Sequence, residues 1–304
     1  MKSVVFLLIF FVTLLHTSQK LPDFLSNGEL SAKIKYYYIE TNKKFESHEV
    51  TSSHSHAVGM QINYITPQIY NIKLHSTLMT TQGFLLPKSV ESSTLAQDNG
   101  RRGYNPTKSF GVIAEFNLNY EDDNVNVWYG RKVITTPMIG AKEVRMLPSS
   151  VYGTSSTFFV NDTTAVTLSY IESFKQRPSN DFINIVKHAL GEDTQSIIGK
   201  DEQSVVLVDI LHVDDIYTLH LNNLYSENFI NSAYLELRYK NDFYTLEGQV
   251  VSQKSIGNAD KNLDKVDSVT KGNKINSNAI GIRSIYTYKE SSIDIGGCQP
   301  SCPS

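Results

Sequence analysis

The basic residues of this chain fall at positions from which they could act on a charged solute. Lys33, Lys35, Lys73 and Arg131 lie in stretches where polar and apolar residues alternate, and Arg145 lies between two such stretches. Ammonium and guanidinium groups attract carboxylates and phosphates by charge and by hydrogen bonds. Along a wet channel, such groups select solutes by charge and by the width of the passage, without breaking a bond.

Groups for bond-making chemistry do not form a recognisable motif in this sequence. There is no G-x-S-x-G, and no serine, histidine and aspartate can be placed as a catalytic set. His48, His54 and His56 are the best metal candidates, with Glu46 and Glu49 nearby. Histidines in surface loops are far commoner than metal sites. We therefore predict no catalytic residue, no metal and no cofactor.

The two cysteines and the charge balance narrow the class of protein further. Cys298 and Cys302 both lie in the last seven residues, and a disulfide between them would close a very small loop. The stability of the chain must therefore come from packing and sheet pairing. A net charge of −3 over 304 residues leaves no basic footprint for nucleic acid.

In the stretches that carry the basic residues, polar and apolar residues alternate with a period of two. About a dozen such stretches follow one another, each about ten residues long, which is the length of a tilted membrane-spanning strand. Soluble sheets also alternate, but their strands usually have five or six residues. The polar face is rich in Asn, Gln, Lys, Thr and His, as a wet lumen requires. We predict an all-β, antiparallel transmembrane β-barrel of the porin type.

The alternation also assigns residues to the two faces of the predicted barrel. In Phe110–Tyr120 it puts Val112 and Ala114 on the same face as Phe116 and Leu118. Residues expected to face lipid are Met60, Ile62, Tyr64, Leu74, Phe116 and Leu118. Residues expected to face the lumen are Gln61, Asn63, Lys73, Glu115 and Asn117.

The ends and the long loops complete the predicted organisation. Lys2 and the apolar run Val4–Leu15 predict a signal peptide at residues 1–18, followed by the barrel at residues 19–295. The long loop Thr81–Ser109 is the best candidate for a constriction of the pore. The loop Phe174–Gln203 contains a helical pattern at Asn180–Gly191.

The stretch Val127–Gly153 contains residues that resemble those of a known family. Within it, Tyr129-Gly130-Arg131 is followed by Thr136-Pro137, then by Arg145-Met146-Leu147-Pro148 and Tyr152-Gly153. This run resembles a landmark of the OprD-type outer-membrane porins, and Asn27–Tyr38 resembles the first strand of that family. The resemblance covers roughly residues 27–175.

The resemblance implies an eighteen-stranded barrel in which a ladder of basic residues, opposite acidic loop residues, draws small carboxylate solutes through the pore. It makes pore-lining residues of Lys33, Lys35, Lys73, Arg131 and Arg145. Arg101 and Arg102 lie in the Thr81–Ser109 loop, which makes them candidate constriction residues.

The chain departs from that family at its C-terminal end. Glycines and prolines in residues 296–304 predict an irregular tail instead of a closing strand. A dozen strands are also fewer than eighteen. We therefore expect an incomplete barrel, open between its first and last strands, or a smaller barrel in which Leu30–Tyr38 pairs with Ala279–Lys289.

Two functions agree with these features. The first is passive diffusion of small hydrophilic solutes, anionic ones included, through a porin of the bacterial outer membrane, as a homotrimer or a monomer in contact with lipid. The second is a non-conducting outer-membrane or secreted β-protein that acts in adhesion or ligand binding through its long loops. Neither function is that of an enzyme.

Overall fold

The computed structural model describes residues 27–44, 50–84, 109–141, 146–177, 179–266, 273–288 and 291–301. Its strands are β1 (Glu29–Lys44), β2 (Val50–Ile65), β3 (Ile72–Phe84), β4 (Phe110–Glu121), β5 (Val125–Lys132), β6 (Ser150–Asn161), β7 (Thr164–Lys175), β8 (Ile183–Asn184), β9 (Val205–Val213), β10 (Tyr217–Ser226), β11 (Ile230–Lys240), β12 (Tyr244–Ser255), β13 (Asn276–Tyr288) and β14 (Ser291–Ser301). Its short α-helices are α1 (Ile185–Leu190), α2 (Thr194–Ile198) and α3 (Gly257–Asn262). Among the helices described, none has the length and apolar character needed to cross a membrane.

The strands form a single antiparallel sheet in which neighbours in sequence are neighbours in space. The order runs from β1 to β7 and then from β9 to β14, with the two-residue strand β8 paired beside β7. Within the described residues no ladder joins β1 to β14, so the sheet is open, as one of the two alternatives predicted. The smaller closed barrel does not form, because β13 lies between β12 and β14.

The apolar side of the sheet is its exposed side. In β4, Phe116 and Leu118 are 53% and 52% exposed, while Asn117 and Asn119 are 1% and 3% exposed. The ladder continues both faces into the next strand, because Leu74 pairs with Leu118. Water-soluble sheets bury their apolar face, so this arrangement is the one that a lipid environment requires. The predicted division into an apolar face and a polar face is confirmed for these residues.

The face assignment is wrong in the first half of β4. The sequence predicted Val112 and Ala114 on the face of Phe116, but both are buried on the inner side, at 7% and 0% exposure. The cause is a bulge: Thr77 pairs with Glu115, and the next residue of β3, Leu78, pairs with Ile113. The extra residue in β4 reverses the two-residue alternation on one side of the bulge.

The predicted irregular tail is also wrong up to residue 301. Residues 291–301 form β14, which pairs with β13 in a continuous register that includes Ala279 opposite Pro300. An edge strand tolerates proline because its missing N–H can point away from the ladder. The glycines at 296 and 297 do not end the strand, since β13 supplies the pairing.

Folded loops form a hydrophobic core at one end of the sheet. Helix α1 begins at Asn184, whose side-chain oxygen accepts hydrogen bonds from the N–H groups of Val186 and Lys187. The helix predicted within Asn180–Gly191 is therefore confirmed. The core includes buried residues of all three helices and of strands β5, β6, β7 and β9, among them Val186, Leu190, Ile197, Ile198, Ala259, Trp128, Val151, Ile171, Val205 and Leu207. This packing holds the loops against the inner side of the sheet.

Several short turns at the other end share one hydrogen-bonding device. Asp122 accepts hydrogen bonds from the N–H groups of Asn124 and Val125, each at 2.9 Å. Asp214 and Asn241 accept from the two corresponding N–H groups of their own turns. A side chain that caps its own turn in this way fixes the loop length and therefore the register of the hairpin.

The carboxylates in these turns make hairpin stability depend on pH. The N–H of Asn124, the Tyr120 hydroxyl and the N–H of Val125 hold the pKa of Asp122 below its usual range. The N–H groups of Tyr217 and Ile216 do the same for the pKa of Asp214. Because both pKa values are lowered in the folded state, their stabilisation is present above the ordinary aspartate pKa, about 4, and is lost as the pH falls through the lowered values.

We therefore expect an Asp122→Asn, Asp214→Asn double variant to be less stable than the parent at pH 7 and to lose that difference at acid pH. Asparagine keeps an acceptor oxygen but cannot ionise, so only the titrating part of the stabilisation is removed. Urea midpoints of the protein in detergent at pH 7 and pH 3 measure the effect. An equal difference at both pH values would contradict the assignment.

Candidate solute pathway on the inner face

Three of the predicted basic residues lie on the inner face of β1–β5, called here the lysine-rich face. Lys33 pairs with Gln61 and Lys35 with Gly59, so both project to the polar side of β2. Lys73 lies on the inner side of β3, and its amine is 2.6 Å from the carboxylate of Glu121. The register therefore brings Lys33, Lys35 and Lys73 to one surface, as the alternation predicted.

A polar network occupies the lysine-rich face between these lysines. The Thr77 hydroxyl lies 2.8 Å from the carboxylate of Glu115 and 3.0 Å from Oδ1 of Asn63, and the ring nitrogen Nε2 of His75 lies 3.6 Å from Glu115. His75 also makes a hydrogen bond with Asn63. Buried polar groups keep their hydrogen bonds in this way, so the side chains of this face are held in fixed positions.

Lys132 extends the network along β5. Its amine donates to Asn119 at 3.1 Å and lies 5.5 Å from the centre of the Trp128 ring. Asn119 in turn donates to Asn117 at 2.7 Å. Lys132 was not among the predicted site residues, although it stands two positions from Gly130 in the landmark run and on the polar side of the alternation.

Arg131 is not brought together with the three inner lysines. It pairs with Phe116, which belongs to the exposed apolar face. Its guanidinium lies 4.4 Å from the centre of the Phe182 ring and donates to the carbonyl of Ile113 at 3.4 Å. Arg101, Arg102 and Arg145 lie outside the described residues, as does most of the Thr81–Ser109 loop.

The inner face of β6 and β7, called here the hydroxyl face, carries no ionised group in the middle of its strands. Ser169 donates to Ser155 at 2.8 Å, and the hydroxyls of Thr157 and Thr167 are 2.9 Å apart. These pairs satisfy each other across neighbouring strands. The surface that they form is polar and uncharged.

Carboxylates predominate on the inner face of β9–β14, called here the acid-rich face. Asp209 accepts hydrogen bonds from Asn222 at 2.6 Å and lies 2.8 Å from the His220 ring. Glu236 on β11 accepts a hydrogen bond from the Tyr234 hydroxyl. The rings of His220 and Tyr234 meet edge to face with centres 5.7 Å apart, which joins the two carboxylate sites into one row.

Two arginines continue this row towards β14. Arg238 lies 2.8 Å from Glu247, and Arg283 lies 3.5 Å from the same carboxylate and 2.6 Å from Asp294. A cavity of about 530 Å³ opens onto these side chains. The cavity is therefore lined by alternating cations and anions held in place by one another.

No residue of the acid-rich face was among the site residues predicted from the sequence, although the pattern that marks them was present. Glu236 and Arg238 alternate with Leu235 and Leu237, and Glu247 follows Leu246, in the same period of two that located the lysines. Only the basic residues were predicted as site residues, because the resemblance implies a role for them. The period alone would have found both faces.

A second cavity, of about 1020 Å³, lies between the folded loops and the inner side of β9–β12. Its lining is mainly apolar, with Phe174, Ile139 and Phe229 among the contributing side chains. The polar exceptions include His188, which is 2.8 Å from Gln176. The loops therefore narrow the inner space beside β9–β12 without filling it.

Lys175 fastens one of these loops to the sheet. Its side chain is fully buried at the end of β7, and its amine donates to the carbonyls of Pro148 and Gln176, both at 3.0 Å. A buried amine without these acceptors would be costly. Lys175 thus fixes the chain between Met146 and Ser149 against the inner side.

The fold matches solved outer-membrane proteins closely in shape and distantly in sequence. OpdK of Pseudomonas aeruginosa, solved with vanillate, superposes with a TM-score of 0.68 at 12% identity, over 92% of this chain and 69% of that chain. OccAB3 of Acinetobacter baumannii gives 0.69 at 13% identity, over 91% and 67%. OccK8 (OprE) of P. aeruginosa gives 0.68 at 14% identity, over 92% and 70%.

Comparisons of the sequence alone found no match. No protein-family model matches the sequence, and no curated protein does. The similarity found by these comparisons is thus a similarity of fold. The chain has the fold of the OprD/Occ outer-membrane porins, as an open antiparallel sheet.

Proposed function

We propose that this protein is a porin of the bacterial outer membrane, through which small hydrophilic solutes diffuse passively. One observation carries the proposal: ionised and polar side chains gather on the inner face of a sheet whose outer face is apolar and exposed. Such a sheet suits lipid on one side and water on the other. Passage along it needs no bond to be broken, so the proposed function is not enzymatic.

The arrangement of the inner face supports diffusion of charged solutes in particular. The amines of Lys33, Lys35 and Lys73 share one surface, where they would attract a carboxylate. Fixed polar networks surround them, so the charges would hold their positions while a solute passes. The loops fastened by Lys175 would narrow the passage.

The proposal is tested by reconstituting the full chain, refolded in detergent, into planar lipid bilayers. We expect stepwise increases of current, with one conductance value predominating. Protection of the reconstituted strands from protease provides the control that the protein is folded and inserted. Protected protein that gives no current steps would contradict the porin function and would favour a non-conducting role in adhesion or ligand binding. Cross-linking of the same preparation distinguishes a monomer from a homotrimer.

A further inference from the structure

The cavity of about 1020 Å³ beside β9–β12 differs from the polar surfaces of the inner face because its walls are mainly apolar. The connection between β5 and β6, the segment from the end of β7 to helix α1, and strands β9–β12 build these walls. Ile139, Val205 and Phe229 line the cavity and are also buried residues of the hydrophobic core, against which Phe174 packs. The cavity is therefore a preformed part of the fold.

A tight turn in the β5–β6 connection holds apolar side chains at this cavity. The N–H of Thr136 donates to the carbonyl of Ile139 at 2.7 Å, and the N–H of Ile139 donates to the Thr136 hydroxyl at 2.9 Å. Met138 and Ile139 of this turn line the cavity. Contact between water and such a surface is unfavourable, so a cavity of this size and composition suits a ligand with an apolar body.

The charge at the cavity wall comes from one residue. Gln176 makes a hydrogen bond with His188 at 2.8 Å, and Gln253 accepts one from Ser277 at 3.5 Å, so these polar side chains are engaged with protein groups. Within the described part of the chain, no carboxylate lines the cavity and none forms an ion pair with Arg177, which does line it. A guanidinium at the wall of an apolar cavity complements a molecule that joins an anionic head to an apolar body.

We infer that this cavity binds a single-chain amphiphile with a carboxylate head, whose alkyl chain lies against Ile139, Phe174 and Phe229 while its head meets Arg177. Cavities of about 300–1,000 Å³ hold ligands of drug size, so a single aromatic ring would leave most of this cavity unfilled. A flexible alkyl chain can follow walls that come from separate segments. The guanidinium forms two parallel hydrogen bonds with a carboxylate and so fixes the head.

Trp128 reports on binding, because it is the single tryptophan of the chain and belongs to the same core as Ile139 and Phe229. The probe is ω-bromoundecanoate, whose bromine quenches tryptophan fluorescence at short range. The full chain, refolded into lipid nanodiscs, is titrated with the probe. The methyl ester of the probe enters the lipid without a charge and measures quenching from the lipid. We expect saturable quenching by the acid that exceeds quenching by the ester and is reversed by an excess of decanoate.

Arg177→Gln is expected to weaken binding of the probe about tenfold, since the hydrogen bonds to a charged group are lost with the charge. Lys187→Gln is the matched control, because it removes the same charge from helix α1 at a residue that does not line the cavity. This variant should bind as the parent does. Ala189→Leu fills part of the cavity from the same helix and should weaken binding severalfold with Arg177 retained. Protease protection verifies that each variant is folded.

Competition with the probe measures how the length of the chain contributes. At equal free concentration in water, affinity should rise about fourfold with each methylene from hexanoate to decanoate. Benzoate carries the same head on a single ring and should compete about tenfold more weakly than decanoate, or worse. Competition by benzoate as strong as that by decanoate would overturn the assignment of an alkyl chain.

Equal quenching by the acid and its ester, or equal affinity in the parent and in folded Arg177→Gln, would overturn the inference. Unchanged binding in folded Ala189→Leu would do the same, because the probe would then lie elsewhere. Binding is measured without current and is independent of solute passage. A folded protein that binds the probe and conducts nothing would contradict the porin function alone, whereas one that conducts without binding the probe would contradict this site alone.

Discussion

A Leu237→Arg variant is expected to fail to insert into lipid membranes. Leu237 lies in the second half of β11 on the apolar face and is 53% exposed. An arginine that faces the hydrocarbon at mid-depth costs about 2–4 kcal/mol in an outer-membrane barrel. The next residue, Arg238, is a native arginine, but it faces the inner side and contacts Glu247. The expected loss is therefore due to the direction of the side chain and not to the residue type.

Gln249→Arg provides the matched control. Gln249 pairs with Glu236 in the ladder while Leu237 pairs with the adjacent Gly248, so positions 249 and 237 lie at nearly the same depth on opposite faces. An added arginine at Gln249 meets the carboxylates of the acid-rich face and should insert as the parent does. Insertion is measured as the protease-protected fraction after refolding into vesicles. If both variants insert equally, the exposed apolar face does not face lipid.

A Gly130→Ala variant is expected to lose about 3 kcal/mol of stability or more, since its φ of +125° is almost exclusive to glycine and a Cβ would collide with backbone. The added carbon would lie 2.3 Å from the carbonyl oxygen of Phe116 and 3.0 Å from the Cα of Asn117. Backbone atoms of the neighbouring strand cannot move aside without breaking the ladder. The variant should unfold at a clearly lower urea concentration than the parent in detergent.

Gly248→Ala separates this effect from a general intolerance of strands to substitution. Gly248 has an ordinary φ, and a Cβ there would meet no heavy atom within 4 Å. Replacement of a strand glycine in open space should leave the urea midpoint close to the parent value or raise it slightly. Equal losses at Gly130 and Gly248 would contradict the role assigned to the backbone of Gly130.

The Gly130 result also bears on the landmark run that the sequence singled out. Gly130 and Gly153, which bracket that run, pair with each other in the ladder between β5 and β6. A Cβ at Gly153 would also lie 2.2 Å from a backbone carbonyl, that of Tyr170. The two glycines therefore let four neighbouring strands, β4 to β7, approach closely. The two glycines are visible in the sequence, but the need for glycine at these positions follows from the pairing of the strands.

The polar face was predictable where the strands are regular. A period of two places alternate side chains on opposite faces whatever the neighbours are, so Lys33 and Lys73 could be placed from local sequence. The same rule places Arg131 on the face of Tyr129, and its ladder partner is the exposed Phe116, so the pore-lining prediction for Arg131 departed from the alternation. Which strands lie side by side, and in what register, depends on contacts between residues far apart in the chain.

The sequence by itself determined the class of the fold, the faces of most strands and the nature of the inner surface. Those properties follow from local alternation and from the length of each stretch. Only the tertiary structure decided the bulge that turns Val112 and Ala114 inward, the pairing that makes residues 291–301 a strand, and the separation of the lysine-rich face from the acid-rich face. The physical reason is that a bulge, an edge and a charge gradient are relations between strands, and no single segment contains the information for them.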